Sequence, residues 1–131
     1  MKVFHMWRGL EYYKELTKKE NKIAIGGIAI KYIKESDYNM FEPLIKIAHD
    51  NNCKVHGLGL TGSSNLRKYN FDSVDSSRWN MASRFAQCQR FDGHGIKATD
   101  ICKPGVLYDS ENILLTNFES WQKYSDYLTL F

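Results

Sequence analysis

The sequence predicts an α/β fold with about four parallel strands joined by crossover helices, followed by one helix near the carboxyl terminus. Three observations predict it. Short apolar runs are punctuated by glycine, segments with helical spacing of apolar residues lie between them, and successive strands begin roughly 20 to 30 residues apart. That distance suits right-handed strand–helix–strand crossovers, which require a parallel sheet.

The first two strands are predicted in KVFHMW and KIAIGGIAI, because both runs are apolar and short. The segment between them, GLEYYKELTKKEN, is predicted to be a helix whose apolar residues are Leu10, Tyr13 and Leu16. FEPLIKIAHDNN is the next predicted helix, with Pro43 in its first turn and an asparagine pair as its end. Its apolar stripe comprises Phe41, Leu44, Ile45 and Ala48.

KVHGLGL is the third predicted strand, SSNLRKY a short helix and FDSVDSS the fourth strand. Beyond Trp79 the pattern predicts a helix in MASRFAQCQRF, a turn in DGHG, a loop in DICKPG and a final helix in NFESWQKYSDYLTLF. The apolar stripe of that helix is predicted to be Phe118, Trp121, Tyr124 and Leu128. We expect a single domain over residues 1–131, with the motifs in 1–79 and an extension in 80–131.

Composition indicates an ordinary soluble domain and favours the cytoplasm. The chain has 131 residues, 43% of them hydrophobic, and a formal net charge of +3 from scattered basic residues, which permits contact with nucleic acid without indicating it. No apolar run approaches the ~20 residues that span a bilayer. Three cysteines are an odd number without regular spacing, and Cys88, His94 and Cys102 do not have the spacing of a metal site. We therefore predict no metal, no cofactor and no membrane partner.

Candidate functional residues follow from the rule that ligands bind at the carboxyl ends of parallel strands. Each predicted strand ends in residues suited to a site, because glycine pairs let a flat ligand or a phosphate approach backbone amides and carboxylates supply chemistry. The candidates are His5, Gly26, Gly27, His56, Gly57, Asp72 and Asp75.

Three motifs in order, IAIGGIA, VHGLGLT and FDSVDSSRW, resemble the last barrel strands of the tRNA-guanine transglycosylase superfamily, most closely its phage and DNA-modifying branch. The resemblance covers about Lys2 to Trp79. It implies the carboxyl-terminal half of a TIM (β/α)8 barrel. In this family one strand ends in a Gly-Gly that contacts the substrate base, the next ends in Gly-x-Gly, and the last strand delivers a nucleophilic aspartate.

The resemblance also implies residue roles. Gly26 and Gly27 match the base-contacting glycines, and His5 lies where the family has a glutamine that hydrogen-bonds the base. His56, before Gly57, stands where the family often has a methionine against the base. Aligned with the family's Val-Asp-x-Phe-Asp pattern, the chain has its nucleophile at Asp75.

A competing register would give the nucleophilic role to Asp72. We prefer Asp75, because alternation from Val74 points its side chain away from the buried face. Asp72 is then expected to contact the substrate.

The implied activity is base exchange: guanine in tRNA or DNA is replaced by a 7-deazaguanine through a covalent glycosyl intermediate on the carboxylate. The family's general-acid aspartate and zinc cluster have no counterpart in this chain. We therefore expect a complementary amino-terminal half or self-association to complete the barrel. Two alternatives remain, a non-catalytic remnant or nucleobase-binding module of the same fold, and an unrelated α/β enzyme whose glycine turns bind a phosphate.

Overall fold

The computed structural model describes residues 1–60, 62–100 and 109–130, apart from the side chains of Ser63, Ser64 and Asp100. The chain divides into two compact units, Met1–Ser76 and Ser77–Phe131. The predicted loop DICKPG falls almost entirely outside the described residues, as does Cys102.

The first unit alternates strands and helices as the sequence predicts. Its strands are β1 (Lys2–Phe4), β2 (Lys22–Ile25), β3 (Lys54–Gly57) and β4 (Ser73–Val74). Its helices are α1 (Leu10–Lys19), α2 (Phe41–Asp50) and α3 (Ser63–Lys68). Two 3₁₀ turns, Met6–Arg8 and Glu35–Met40, follow β1 and precede α2.

The four strands form one parallel sheet in the order β1-β2-β3-β4. The predicted α/β class with a four-stranded parallel sheet is therefore confirmed. The strands are shorter than predicted, because β2 ends at Ile25 before the glycine pair and β4 comprises two residues.

The first face of the sheet packs against all three helices. Register places Phe4, Ile25, Gly57 and Val74 in one row across the strands, next to the row that pairs Ile23 with Val55. These rows share a core with residues from each helix, namely Tyr13, Leu16, Phe41, Leu44, Ile45, Ala48 and Leu66. The predicted stripe of α2 is confirmed, whereas Leu10 of α1 is 48% exposed. Where adjacent parallel strands are joined by crossovers of the same hand, the helices lie on one face of the sheet. The shared core is consistent with that arrangement, since residues of all three helices belong to it.

The second unit comprises α4 (Arg78–Arg84), a hairpin of β5 (Gln87–Phe91) and β6 (Ile96–Asp100), and α5 (Ser110–Leu128). The hairpin corrects the prediction that MASRFAQCQRF is one helix. α4 ends before Ala86, which adopts a left-handed φ of 49°, and the chain continues as antiparallel β5. The predicted turn DGHG joins β5 to β6, where Asp92 Oδ1 accepts hydrogen bonds from the backbone N–H groups of His94 and Gly95.

The last helix starts earlier than predicted. Asp109 caps α5, since its side chain accepts hydrogen bonds from the N–H groups of Glu111 and Asn112. The buried stripe of the helix is Ile113, Asn117, Ser120 and Tyr124. The prediction that Tyr124 belongs to the buried stripe is confirmed. The same prediction for Phe118 is wrong, because its side chain is 43% exposed.

Asn117 is a fully buried polar residue at the centre of this unit. Its Oδ1 accepts a hydrogen bond of 2.6 Å from the N–H of Gln89. Its Nδ2 donates to the carbonyl oxygens of Trp79 and Gln87 at 3.2 and 3.1 Å. One side chain therefore joins α5 to the backbones of α4 and β5. In neither unit do the described helices include one with the length and apolarity needed to cross a bilayer.

Candidate functional site

Four of the seven predicted site residues lie on the second face of the first unit's sheet, where His5 contacts Gly26 and His56 faces Asp75. Val3, Ala24, His56 and Ser73 form a row across this face. Because strand residues alternate between faces, His5 and Asp75 belong to the same face, two residues beyond Val3 and Ser73. The site therefore lies at the carboxyl ends of the strands, opposite the helices.

Asp75 follows β4 directly and extends from the carboxyl end of the sheet. Its Oδ1 accepts a 2.7 Å hydrogen bond from the backbone N–H of Gly59. Its side chain is 55% exposed, and its Oδ2 lies 3.8 Å from His56 Nε2. One carboxylate oxygen is thus fixed by the backbone, while the other faces an imidazole and remains accessible to a ligand.

His56 is the middle residue of a short polar chain. Its Nδ1 lies 2.8 Å from Ser73 Oγ, within hydrogen-bonding distance, and its other ring nitrogen faces Asp75. The side chain is only 12% exposed. Parallel pairing of His56 with Ser73 positions this contact, since residues in register across two strands have adjacent side chains.

Gly59 supplies the amide that binds Asp75, and its geometry requires glycine. Its φ is +75°, and a Cβ there would lie 2.5 Å from Ala29 Cβ, closer than any real contact. The turn after β3 is therefore pressed against the turn after β2.

We expect Gly59→Ala to lower the free energy of unfolding by about 1–3 kcal/mol more than Gly9→Ala does. Gly9 also has a positive φ, +79°, but a Cβ added to it would have no atom within 4 Å, so Gly9→Ala carries a cost of positive φ without a clash. Urea unfolding of both variants measures the difference. Equal losses would show that the Gly59–Ala29 approach has no cost.

His5 and Gly26 are in contact with each other. A Cβ on Gly26 would lie 2.8 Å from His5 Cε1 and 3.2 Å from its Nδ1, so the imidazole rests against the Gly26 backbone. The His5 ring also stacks on the Trp7 ring, with a distance of 4.2 Å between the ring centroids and an angle of 12° between the ring planes. His5 Nδ1 is buried and has no hydrogen-bond partner among the described residues. The missing side chain of Gly26 therefore accommodates His5.

Gly27 and Gly57 have local roles as well. Gly27 has a φ of +102°, and its carbonyl accepts hydrogen bonds from the N–H groups of Tyr32 and Ile33, so it forms the turn after β2. Gly57 lies in the row of the helix-packed face, where a Cβ would be 3.3 Å from Phe71 and Val74. It gives space to the core, on the face opposite Asp75.

Asp72 lies apart from this group, because it precedes β4 whereas Asp75 follows it. Its Oδ2 accepts 2.7 Å and 2.9 Å hydrogen bonds from the N–H of Val55 and from His49 Nε2. Partial burial alone would raise the pKa of Asp72, but the Val55 amide, His49 and the charge of Lys54 together lower it below its ordinary value. Asp72 thus fastens β4 to β3 and to the end of α2.

A carboxyl group whose pKa is lowered in the folded state stabilises the protein above its unfolded pKa, and this contribution is lost as pH falls through the folded pKa. For Asp72 the loss is expected below pH 3.8, its ordinary value. At neutral pH, Asp72→Asn should cost about 1 kcal/mol, since the amide oxygen can still accept from Val55. The difference from wild type should shrink as pH falls below that value in chemical denaturation. A difference independent of pH would contradict the assignment.

Sequence reasoning assigned no role to three residues that organise these carboxylates, namely Gly59, Ser73 and His49. Gly59 carried a signal, because it belongs to the Gly-x-Gly of the VHGLGLT motif. Ser73 and His49 carried none, since their partners are set by the register of β4 against β3 and by the position of the end of α2.

Among the described residues, no group of His, Cys, Asp and Glu side chains is arranged to bind a metal ion. Comparisons of the chain with models of protein families, with curated proteins and with solved structures find no match.

Proposed function

We propose that this chain is the carboxyl-terminal half of a base-exchange glycosyltransferase similar to the tRNA-guanine transglycosylases, in which Asp75 is the nucleophile. The substrate is a guanine nucleotide in tRNA or DNA, and the incoming base is a 7-deazaguanine. One observation supports this function above the others. The Asp75 carboxylate is exposed at the carboxyl end of β4, and one of its oxygens accepts a hydrogen bond from the Gly59 N–H.

The chemistry needs such a carboxylate. Asp75 Oδ2 attacks ribose C1′, the bond from C1′ to the base nitrogen breaks, and the base leaves with the electron pair and takes up a proton. An incoming base then loses its proton, attacks C1′ and releases the aspartate. The nucleotide must leave its stack to reach the strand ends, as in other enzymes that act on a base.

The strand order supports the half-barrel form of the proposal. A (β/α)8 barrel has each strand beside its sequence neighbours and all its helices outside, and the first unit has both properties over four strands. In the described part of the sheet, β1 and β4 are the outer strands, so each has an edge that pairs with no described strand. A complementary half or a second copy would pair with these edges and supply the general acid.

A non-catalytic nucleobase-binding or remnant module is the second candidate, and the position of His5 favours it. The His5 ring occupies the space next to Gly26 that the resemblance assigns to the base. An exchange enzyme must move this ring aside when substrate binds, whereas a remnant needs no such movement.

Nucleoside analysis by mass spectrometry tests the proposal. We expect tRNA or DNA from cells with the gene to contain a 7-deazaguanine nucleoside that cells without the gene lack. Restoring the gene with Asp75→Asn should not restore the nucleoside, although the protein accumulates. Identical nucleosides in all these cells would reject base exchange and favour the non-catalytic module.

A further inference from the structure

We propose that His56 and Ser73 form a positioning pair that orients the attacking oxygen of Asp75, and that His56 therefore does not read the substrate base. The proposal rests on the proposed function in taking Asp75 as the nucleophile. Its structural part, the hydrogen-bonding state of the imidazole, concerns the protein without substrate.

Both ring nitrogens of His56 are already directed at protein groups. Nδ1 is 2.8 Å from Ser73 Oγ, and Nε2 is 3.8 Å from Asp75 Oδ2. With the side chain 12% exposed, little of the ring can contact a ligand. Recognition of a base would require His56 Nε2 to turn away from Asp75, because Nδ1 is already hydrogen-bonded to Ser73.

The neighbouring groups select one neutral tautomer of the ring. Nε2 faces a carboxylate oxygen, so the stable form has a proton on Nε2 and an N–H dipole directed at Asp75, because two lone pairs would repel. Nδ1 then has a lone pair, and the Ser73 hydroxyl donates to it. At 3.8 Å the contact between Nε2 and Oδ2 is electrostatic and longer than a hydrogen bond.

Together, the backbone and this pair orient both oxygens of the carboxylate. The Gly59 N–H binds Oδ1, and the His56 N–H dipole is directed at Oδ2. A carboxylate held in this way attacks from one fixed direction, which is worth a large factor in rate because misplacement by about 1 Å can cost on the order of 10²-fold.

Distance also separates this role from that of a general acid. In a displacement at C1′, the acid lies across the sugar from the nucleophile, and the two carboxyl groups of retaining glycosidases are about 5–5.5 Å apart. His56 Nε2 is instead 3.8 Å from the attacking oxygen itself. It therefore positions the nucleophile, and the proton for the departing base comes from elsewhere.

The first test is ¹⁵N NMR of the imidazole in the isolated protein at a pH where the ring is neutral. We expect the Nε2–H tautomer in wild type, with the Nδ1 signal of a nitrogen that accepts a hydrogen bond; Ser73→Thr, which keeps a hydroxyl, should retain that Nδ1 signal, and Ser73→Ala should shift it. An Nδ1–H tautomer in wild type, or an unchanged spectrum in Ser73→Ala, would overturn the proposal.

The second test compares His56→Gln with His56→Asn in the assembled enzyme. The amide of glutamine can reach the position of Nε2 and donate to Asp75, whereas that of asparagine reaches only the position of Nδ1. We expect glutamine to slow formation of the covalent adduct by less than about threefold and asparagine by about 10²-fold, with the same KM for nucleic acid.

Equal losses in the two His56 variants, or a rise in KM in both, would overturn the positioning role. If wild type forms no adduct, the proposed base exchange fails, and the NMR result alone decides whether the pair exists.

Discussion

Asp75→Asn is expected to abolish the covalent adduct between the protein and a guanine-containing oligonucleotide. An amide oxygen is too weak a nucleophile to attack C1′, yet it can still accept the hydrogen bond from the Gly59 N–H. The fold should therefore survive, with a free energy of unfolding within about 0.5 kcal/mol of wild type. The measurement is a denaturing gel of the protein after incubation with labelled tRNA or DNA, together with the complementary half or second copy that the proposed function calls for.

Asp72→Asn is the matched control for this experiment. It makes the same chemical change three residues earlier, but on a carboxylate that binds Val55 and His49 at the other end of β4. We expect this variant to form the adduct and to unfold more easily at neutral pH. Adduct in Asp75→Asn, or its loss only in Asp72→Asn, would show that Asp75 is not the nucleophile.

Asn117→Leu is expected to have the largest effect on stability, lowering the free energy of unfolding of the second unit by roughly 3 kcal/mol. Leucine has the same branched shape as asparagine but makes no hydrogen bonds. The buried N–H of Gln89 and the carbonyls of Trp79 and Gln87 would lose their partner. Chemical denaturation followed by the fluorescence of Trp79 and Trp121 measures the loss.

Two variants distinguish this explanation from a general loss of helix stability. Asn117→Asp keeps an acceptor for Gln89 but turns a negative oxygen toward two carbonyls, so it should cost more than leucine. Asn112→Ala removes an exposed asparagine whose side chain bonds only to Asp109 among the described residues, and should cost about 0.5 kcal/mol. Similar losses at positions 112 and 117 would contradict the role assigned to Asn117.

The first unit could be predicted from the sequence because its signals are local. Ile23, Ile25 and Val55 are β-branched and lie in short runs ended by glycine, and the stripe of α2 has regular helical spacing. The hairpin could not be predicted in the same way. The turn from α4 to β5 has a left-handed Ala86 where glycine usually stands, and Gln89 is buried because its Oε1 accepts from Trp121 Nε1.

The candidate site was predictable in part. Strand alternation predicts the face on which Asp75 lies, and His56 could be chosen because it lies near the carboxyl end of a predicted strand. The sequence could not show which glycines leave space or a backbone N–H group available to a ligand. Gly26 is filled by His5, Gly57 by the core, and the amide of Gly59 is the one that binds a carboxylate. These contacts depend on the register between neighbouring strands, and a single sequence motif does not reveal that register.

Because every strand of the sheet lies beside the one synthesised just before it, the first unit can assemble in step with translation. Each new strand pairs with the one synthesised before it, and each pairing closes the single crossover between them. Asp75 comes after the last of these strands. The polar chain from Ser73 to Gly59 therefore cannot form before β4 and Asp75 have been synthesised.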